Sequence, residues 1–195
     1  MVQRIKYLLL LGSLGSIPLL RADLDLTPAD TASKLDGVNI PELSFSDGSQ
    51  KVSYESPRDW SYSAVSSREI RFQPPQVTQA ETSIETISMA EEYQLDGKLI
   101  DKLKEDVLRS LPKSCTQIQV ISEVNDALLI NGHKTYEVTI GYQNYGQKYR
   151  ISVLFANVGR QQLRFRVCAR ASDFDQVHRD FTASLCSLQW LKSGS

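Results

Sequence analysis

The sequence predicts an α+β fold: an antiparallel β-sheet with helices packed on it. Three observations carry that expectation. Residues 133–170 alternate apolar and polar side chains with a period of two in three successive runs. Only short turns join the runs, and a parallel pair would need a long crossover. Two other stretches, 97–111 and the one after Ser172, repeat apolar residues at helical spacing.

The elements follow in chain order. Residues 1–22 read as a signal peptide. Arg4 and Lys6 supply a positive start, Tyr7 to Leu20 an apolar run, and Leu20-Arg21-Ala22 a tolerable cleavage site. The run is too short to span a bilayer comfortably, so no stable membrane span is expected after its removal. Residues 23–42 are polar, contain Pro28 and lack a clean period, which predicts a flexible linker. A single domain is then expected over 43–192, a length that supports a real core.

Leu43, Phe45, Val52 and Tyr54 flank Ser46-Asp47-Gly48-Ser49, the pattern of a hairpin. Trp60 to Tyr62 and Ile70 to Phe72 read as strands, the second ended by Pro74-Pro75. Ser83 to Ser88 resumes β-branched alternation. Asp96 then caps a helix with a stripe of Leu99, Leu103, Val107 and Leu111, stopped by Pro112. Ile118, Val120 and Ser122 alternate as a strand, and residues 126–130 pair back through the Asn131-Gly132 turn.

The three runs of the meander come next. Tyr136, Val138, Ile140 and Tyr142 form the first apolar row. Tyr149, Ile151, Val153 and Phe155 form the second, and Leu163, Phe165, Val167 and Ala169 the third. The expectation is that all three rows share one sheet face, under a last helix. Ser172 is the expected N-cap of that helix, with Asp175 completing an acidic capping box and Phe174, Val177, Phe181 and Leu185 as its stripe.

Composition narrows function by exclusion. The whole chain carries 22 basic and 23 acidic residues, a net charge of −1. Loss of residues 1–22 removes three basic residues and no acid, which moves the net charge to −4. Nucleic acid is therefore not an expected partner. The sequence has no Gly-x-Ser-x-Gly elbow, phosphate-binding Gly-Lys loop or dinucleotide fingerprint. No catalytic, cofactor-binding or metal-binding residue is assigned. His133 and His178 each lack a second ligand at metal-site spacing and read as surface residues. Cys115, Cys168 and Cys186 are too few for a disulfide scaffold. They leave two readings open: a Cys168–Cys186 bridge in an oxidising compartment, or three thiols packed as small hydrophobes.

One order of residues resembles a known family. Tyr54, Pro57 and Trp60 precede Ile70-Arg71-Phe72-Gln73-Pro74. A long helix, the Ile130-Asn131-Gly132 turn, a three-strand meander and Asp173-Phe174 at the last helix follow. From Leu43 to Leu191 this pattern is similar to the PsbP-like superfamily. That group includes the extrinsic photosystem II protein, exported bacterial DcrB-type proteins and Ran-binding Mog-type proteins. The resemblance implies an antiparallel sheet between helices, an α/β/α sandwich, and exported or scaffold-like binding roles. It carries over no functional residue, and the exported DcrB-type branch suits the leader best.

The candidate binding surface is the polar side of the meander. Glu137, Thr139, Arg150, Ser152, Arg164 and Arg166 are expected on that side, with the three arginines offering a basic patch to an acidic partner. The bland alternative is a solvated sheet face with weak cross-strand pairs. Trp60 and Tyr62 mark a second candidate, a cleft between helix and sheet. The expected function is a non-catalytic binding or accessory protein of the cell envelope, exported to periplasm or exterior. Its expected partner is another envelope protein. A small-ligand or lipid carrier and a hydrolase without a local signature are the alternatives.

Overall fold

The computed structural model describes residues 23–35 and 38–191. The expected signal peptide, 1–22, lies outside the described residues.

Seven strands form one antiparallel sheet. They are β4 (Ser61–Ser66), β5 (Glu69–Gln73), β6 (Glu81–Ser88), β7 (Thr116–Ile130), β8 (His133–Asn144), β9 (Gln147–Val158) and β10 (Gln161–Arg170). Their spatial order is β4-β5-β6-β10-β9-β8-β7. A smaller sheet has the order β1-β2-β3-β11, from β1 (Leu24–Leu35), β2 (Val38–Asp47), β3 (Gln50–Glu55) and β11 (Gln189–Leu191). Helix α1 spans Gly97–Ser110 and α2 spans Phe174–Ser184, followed by a 3-10 turn at Leu185–Ser187. The fold is thus α+β, as the periodicities predict, with a second sheet added to the helix layer on one side.

Local chemistry accounts for the boundaries. Asp96 caps α1 by accepting the Leu99 amide at 2.9 Å. Pro112 follows Leu111, whose extended backbone ends the helix. Asn131 and Gly132 both have positive φ, as do Tyr145 and Gly146, so two tight two-residue turns set the β7–β8 and β8–β9 pairings. α2 differs from expectation. Asp173, not Ser172, is its N-cap, and it makes no side-chain capping bond.

The linker expectation for 23–42 is corrected. These residues contribute β1 and the start of β2, paired from Leu24↔Asp47 to Leu35↔Val38. Leu24 and Leu26 are fully buried. Their period-two spacing is an anchor that the polar residues around them obscured.

Register also corrects the shared apolar face. Residues directly opposite each other in an antiparallel pair point to the same side of the sheet. Across β8 and β9, Tyr136 faces Phe155, Val138 faces Val153 and Ile140 faces Ile151, so those two rows do share a face. The β9–β10 turn contains only Gly159 and Arg160, pairing Val158 with Gln161. Phe155 then lies opposite Arg164, and Val153 opposite Arg166. The apolar row of β10 points the other way, beside Leu154 and Ala156.

The long sheet therefore carries an apolar core on each side. On one side Leu163, Phe165 and Val167 meet α2 through Phe174, Val177 and Phe181, and meet the small sheet through Leu43, Val52 and Tyr54. On the other side Leu103 and Val107 of α1 cover Tyr136, Val138, Ile140, Ile151 and Val153. The outer strand β7 stays largely exposed. Ile118, Val120, Ile121 and Val124 keep 42–47% of their surface. Three register shifts interrupt its ladder, and bulges of that kind blunt an edge strand against further pairing.

Candidate functional site

The alternation of β10 and the register of its neighbours divide the expected arginine patch. Arg150 lies on the α2 side, in line with Ser152, Thr139 and Glu137. Its Nη1 donates to Asp175 Oδ1 at 2.9 Å, and its guanidinium sits 5.8 Å from the Phe174 ring. Arg150 thus braces the first turn of α2. Arg164 and Arg166 lie on the α1 side, so the three arginines do not form one surface.

Arg164 and Arg166 floor a slot of about 90 Å³ between α1 and the sheet. Glu85, Asp106, Ser110 and Phe155 are among its other lining residues. Arg164 Nε donates to Gln162 Oε1 at 2.9 Å, and its guanidinium lies 5.6 Å from the Phe155 ring. Burial pushes the Arg164 pKa down, against weaker opposing fields from Glu85 and Asp106. Arg166 Nε is buried with no hydrogen-bond partner among the described residues, and Arg170 Nε, two alternations along the same row, is in the same state.

The slot opens onto an uncovered half of the sheet. α1 lies over β8, β9 and the near side of β10. Beyond it, Ser61 and Ser63 of β4, Arg71 and Gln73 of β5, and Glu81 of β6 are exposed on the same side. Arg71 is held by Glu69 at 2.6 Å. The open half is mostly polar and mixed in charge, with Ile87 of β6 exposed on the same side.

Trp60 is not a surface residue. It is 9% exposed and stacks on Phe181, with ring centroids 6.2 Å apart and planes 4° from parallel. Its edge lines a cleft of about 650 Å³ with Arg58, Asp180, Ser184, Cys186 and Ser187. Tyr62 lies outside that cleft and packs at the margin of the larger core.

Sequence reasoning missed one buried polar cluster. His178 Nε2 lies 2.6 Å from Glu137 Oε1, and Ser152 Oγ donates to the same oxygen at 2.5 Å. Burial raises the Glu137 pKa, but the hydrogen bonds from His178 and Ser152 outweigh it and hold the carboxyl below its usual range. The expected surface histidine is therefore a clasp between α2 and β8, its ring stacked 5.3 Å from Phe174. Ser152 donates to the carboxylate rather than to the imidazole, so the three groups do not form a nucleophile–base relay. The signal available in sequence was the i, i+4 pair Phe174–His178 on the buried stripe of α2.

All three thiols are free. Cys168 is buried on the α1 side, 3.2 Å from the Tyr142 hydroxyl, whereas Cys186 is exposed in the 3-10 turn after α2. The long sheet stands between the two thiols, so the Cys168–Cys186 bridge is not formed. Burial pushes the Cys168 and Cys115 thiols up, away from thiolate reactivity. Among the described residues, no group of three His, Cys, Asp or Glu side chains converges as a metal site. No helix among them is long and apolar enough to cross a membrane.

No protein-family model and no curated protein sequence matches the chain. Solved structures do match it in fold. The cyanobacterial PsbP (CyanoP) of Synechocystis sp. PCC 6803 superposes with a TM-score of 0.52 at 14% identity, over 93% of this chain and 99% of that one. LpqN of Mycobacterium tuberculosis, described as involved in cell envelope biogenesis, gives 0.52 at 15% identity, over 85% of this chain and 92% of that one. A Bacteroides thetaiotaomicron protein matches with a TM-score of 0.47 at 16% identity over 74% of this chain, which spans 46% of that protein's length. The first two likenesses show that the chain has a PsbP-like fold.

Proposed function

We propose that this chain is an exported, non-catalytic accessory protein of the cell envelope, of the DcrB-type kind. On this reading it docks another envelope protein through the open half of its long sheet. The observation that carries the proposal is the unequal covering of that sheet. Its α2 side is closed, while its α1 side leaves β4–β6 and the arginine slot accessible. The leader-like residues 1–22 and the fold shared with an envelope-biogenesis protein support the compartment. The polar, mixed-charge character of the open half suits a protein contact better than a bilayer, which favours polybasic surfaces.

Site-specific photocross-linking in envelope fractions tests the proposal. A cross-linker at Ser63 or Arg71 is expected to capture one discrete partner, and the same group at exposed Lys98 of α1 is not. Equal labelling from both places, or none from either, overturns the docking face. Recovery of the protein in the cytoplasm with residues 1–22 intact overturns the compartment.

The cleft beside Trp60 favours a second reading, a small-ligand or lipid carrier. Its volume of about 650 Å³ falls within the range of small-molecule sites. A ligand there would change Trp60 emission and raise the melting temperature. A lipid and metabolite screen silent in both measurements removes that reading.

A further inference from the structure

We infer that the slot beside α1 is a carboxylate-binding subsite, in which Arg164 and Arg166 together receive one Asp or Glu side chain or a chain-terminal carboxylate. The inference rests on the docking face proposed above for its partner, and on the geometry of the slot for its chemistry.

Arg164 and Arg166 occupy alternate positions of β10, so their side chains leave the same face about 7 Å apart. Among the described residues neither forms an ion pair with a carboxylate. Nevertheless both are drawn into a partly buried place. The Arg164 fork is oriented by Gln162 and by the Phe155 ring. Arg166 Nε is an N–H donor removed from solvent and without a partner among the described residues. One oriented guanidinium beside a second with a buried unused donor is an arrangement that can receive a planar oxyanion.

The size of the slot selects a side-chain head over a whole ligand. About 90 Å³ is well below the 300–1,000 Å³ of ordinary small-molecule sites. The walls select charge. Glu85 and Asp106 line the same slot, and although Ser83 and Arg109 engage them, both remain acidic neighbours. A phosphate dianion or an anionic bilayer meets more repulsion there than a single carboxylate does. The open sheet beyond, with Glu81 at its margin, likewise disfavours a polyacidic run. The expected recognition element is one acidic residue flanked by residues without further negative charge.

The test is an NMR titration of the purified protein at pH 7.5, following arginine Nε–Hε resonances. Sodium acetate and inorganic phosphate are the probes, with ionic strength held constant by chloride. Saturable acetate shifts at Arg164 and Arg166, at least several-fold weaker with phosphate, are expected. Arg166→Lys keeps the charge but not the fork, and should weaken acetate binding by roughly tenfold. Absence of a saturable acetate shift overturns the subsite, as does phosphate binding as tight as acetate or an unchanged affinity in Arg166→Lys. The Ser63 cross-link separates this failure from that of the docking face. A cross-link that persists in a folded Arg164→Gln/Arg166→Gln protein keeps the docking face and removes the carboxylate subsite. Acetate shifts without any cross-link keep the subsite and remove the face.

Discussion

On the α2 side of the long sheet, Phe165, Leu154 and Ile84 lie under a helix and a second sheet, and the layer is closed from β5 to β9. On the α1 side a single helix presses Leu103 and Val107 onto β8 and β9, and beyond β10 the side chains of Glu81, Arg71, Ser61 and Ser63 stay exposed. The same strands supply both faces, with nearly the same alternation. What differs is the number of elements available to cover them. The helix that stands alone leaves Arg164 and Arg166 partly buried at its margin, and among the described residues Arg166 Nε has no hydrogen-bond partner there. A closed layer stabilises the fold; the incompletely closed one is the face proposed for docking.

Unequal covering has its largest consequence in core truncations. Phe165→Ala is expected to cost about 3–5 kcal/mol, as for a well-packed core aromatic. Leu103→Ala, under the lone helix, should fall at the lower end of the roughly 2–5 kcal/mol seen for buried leucines, because a single helix can settle toward the cavity. Urea unfolding midpoints measure both. Equal losses would mean that the two faces are closed to the same degree.

The clasp between β8 and α2 gives the next effect. Glu137→Ala leaves Ser152 and His178 without their buried acceptor, and about 1–3 kcal/mol should be lost at pH 7. The folded-state pKa of Glu137 is depressed. Its contribution is therefore present above the unfolded carboxyl value, about 4.3, and lost as pH falls through the lower folded value. Thermal melts from pH 7 down to pH 3 should show this acid sensitivity in the natural protein and less of it in Glu137→Gln. Parallel profiles would show that α2 is held by its apolar stripe alone.

A smaller effect, of opposite sign, belongs to the turn that sets the β8–β9 register. Tyr145 has φ of 48° and is 87% exposed, so it bears the left-handed backbone without packing in return. Tyr145→Asn should stabilise by roughly 0.5–1 kcal/mol, since Asn tolerates that conformation. No change in melting temperature would indicate that the turn is not under strain.

Much of the fold was legible in the residues. Alternation marked β8, β9 and β10, the Asn131-Gly132 turn marked a hairpin, and Asp96 with Pro112 bracketed α1. The site was less legible. Each strand's own period places the arginines of β9 and β10 on one surface, and register divides them. Whether adjacent strands agree depends on turn length. A two-residue loop at Gly159-Arg160 pairs an even-numbered residue with an odd one, and one more residue would reverse that. Leu24 and Leu26, two buried leucines in a polar stretch, make too short a pattern to signal a strand.

By itself the sequence determined what is encoded within a few residues: strand faces, helix starts and stops, and tight turns. Propensity, capping and side-chain alternation act over that range. Only the tertiary structure decided that α1 covers half a face, that Arg150 parts from Arg164 and Arg166, and that His178 meets Glu137 across 41 positions. Those outcomes rest on register and on which layers bury which surface, and both are settled by contacts between segments distant in the chain.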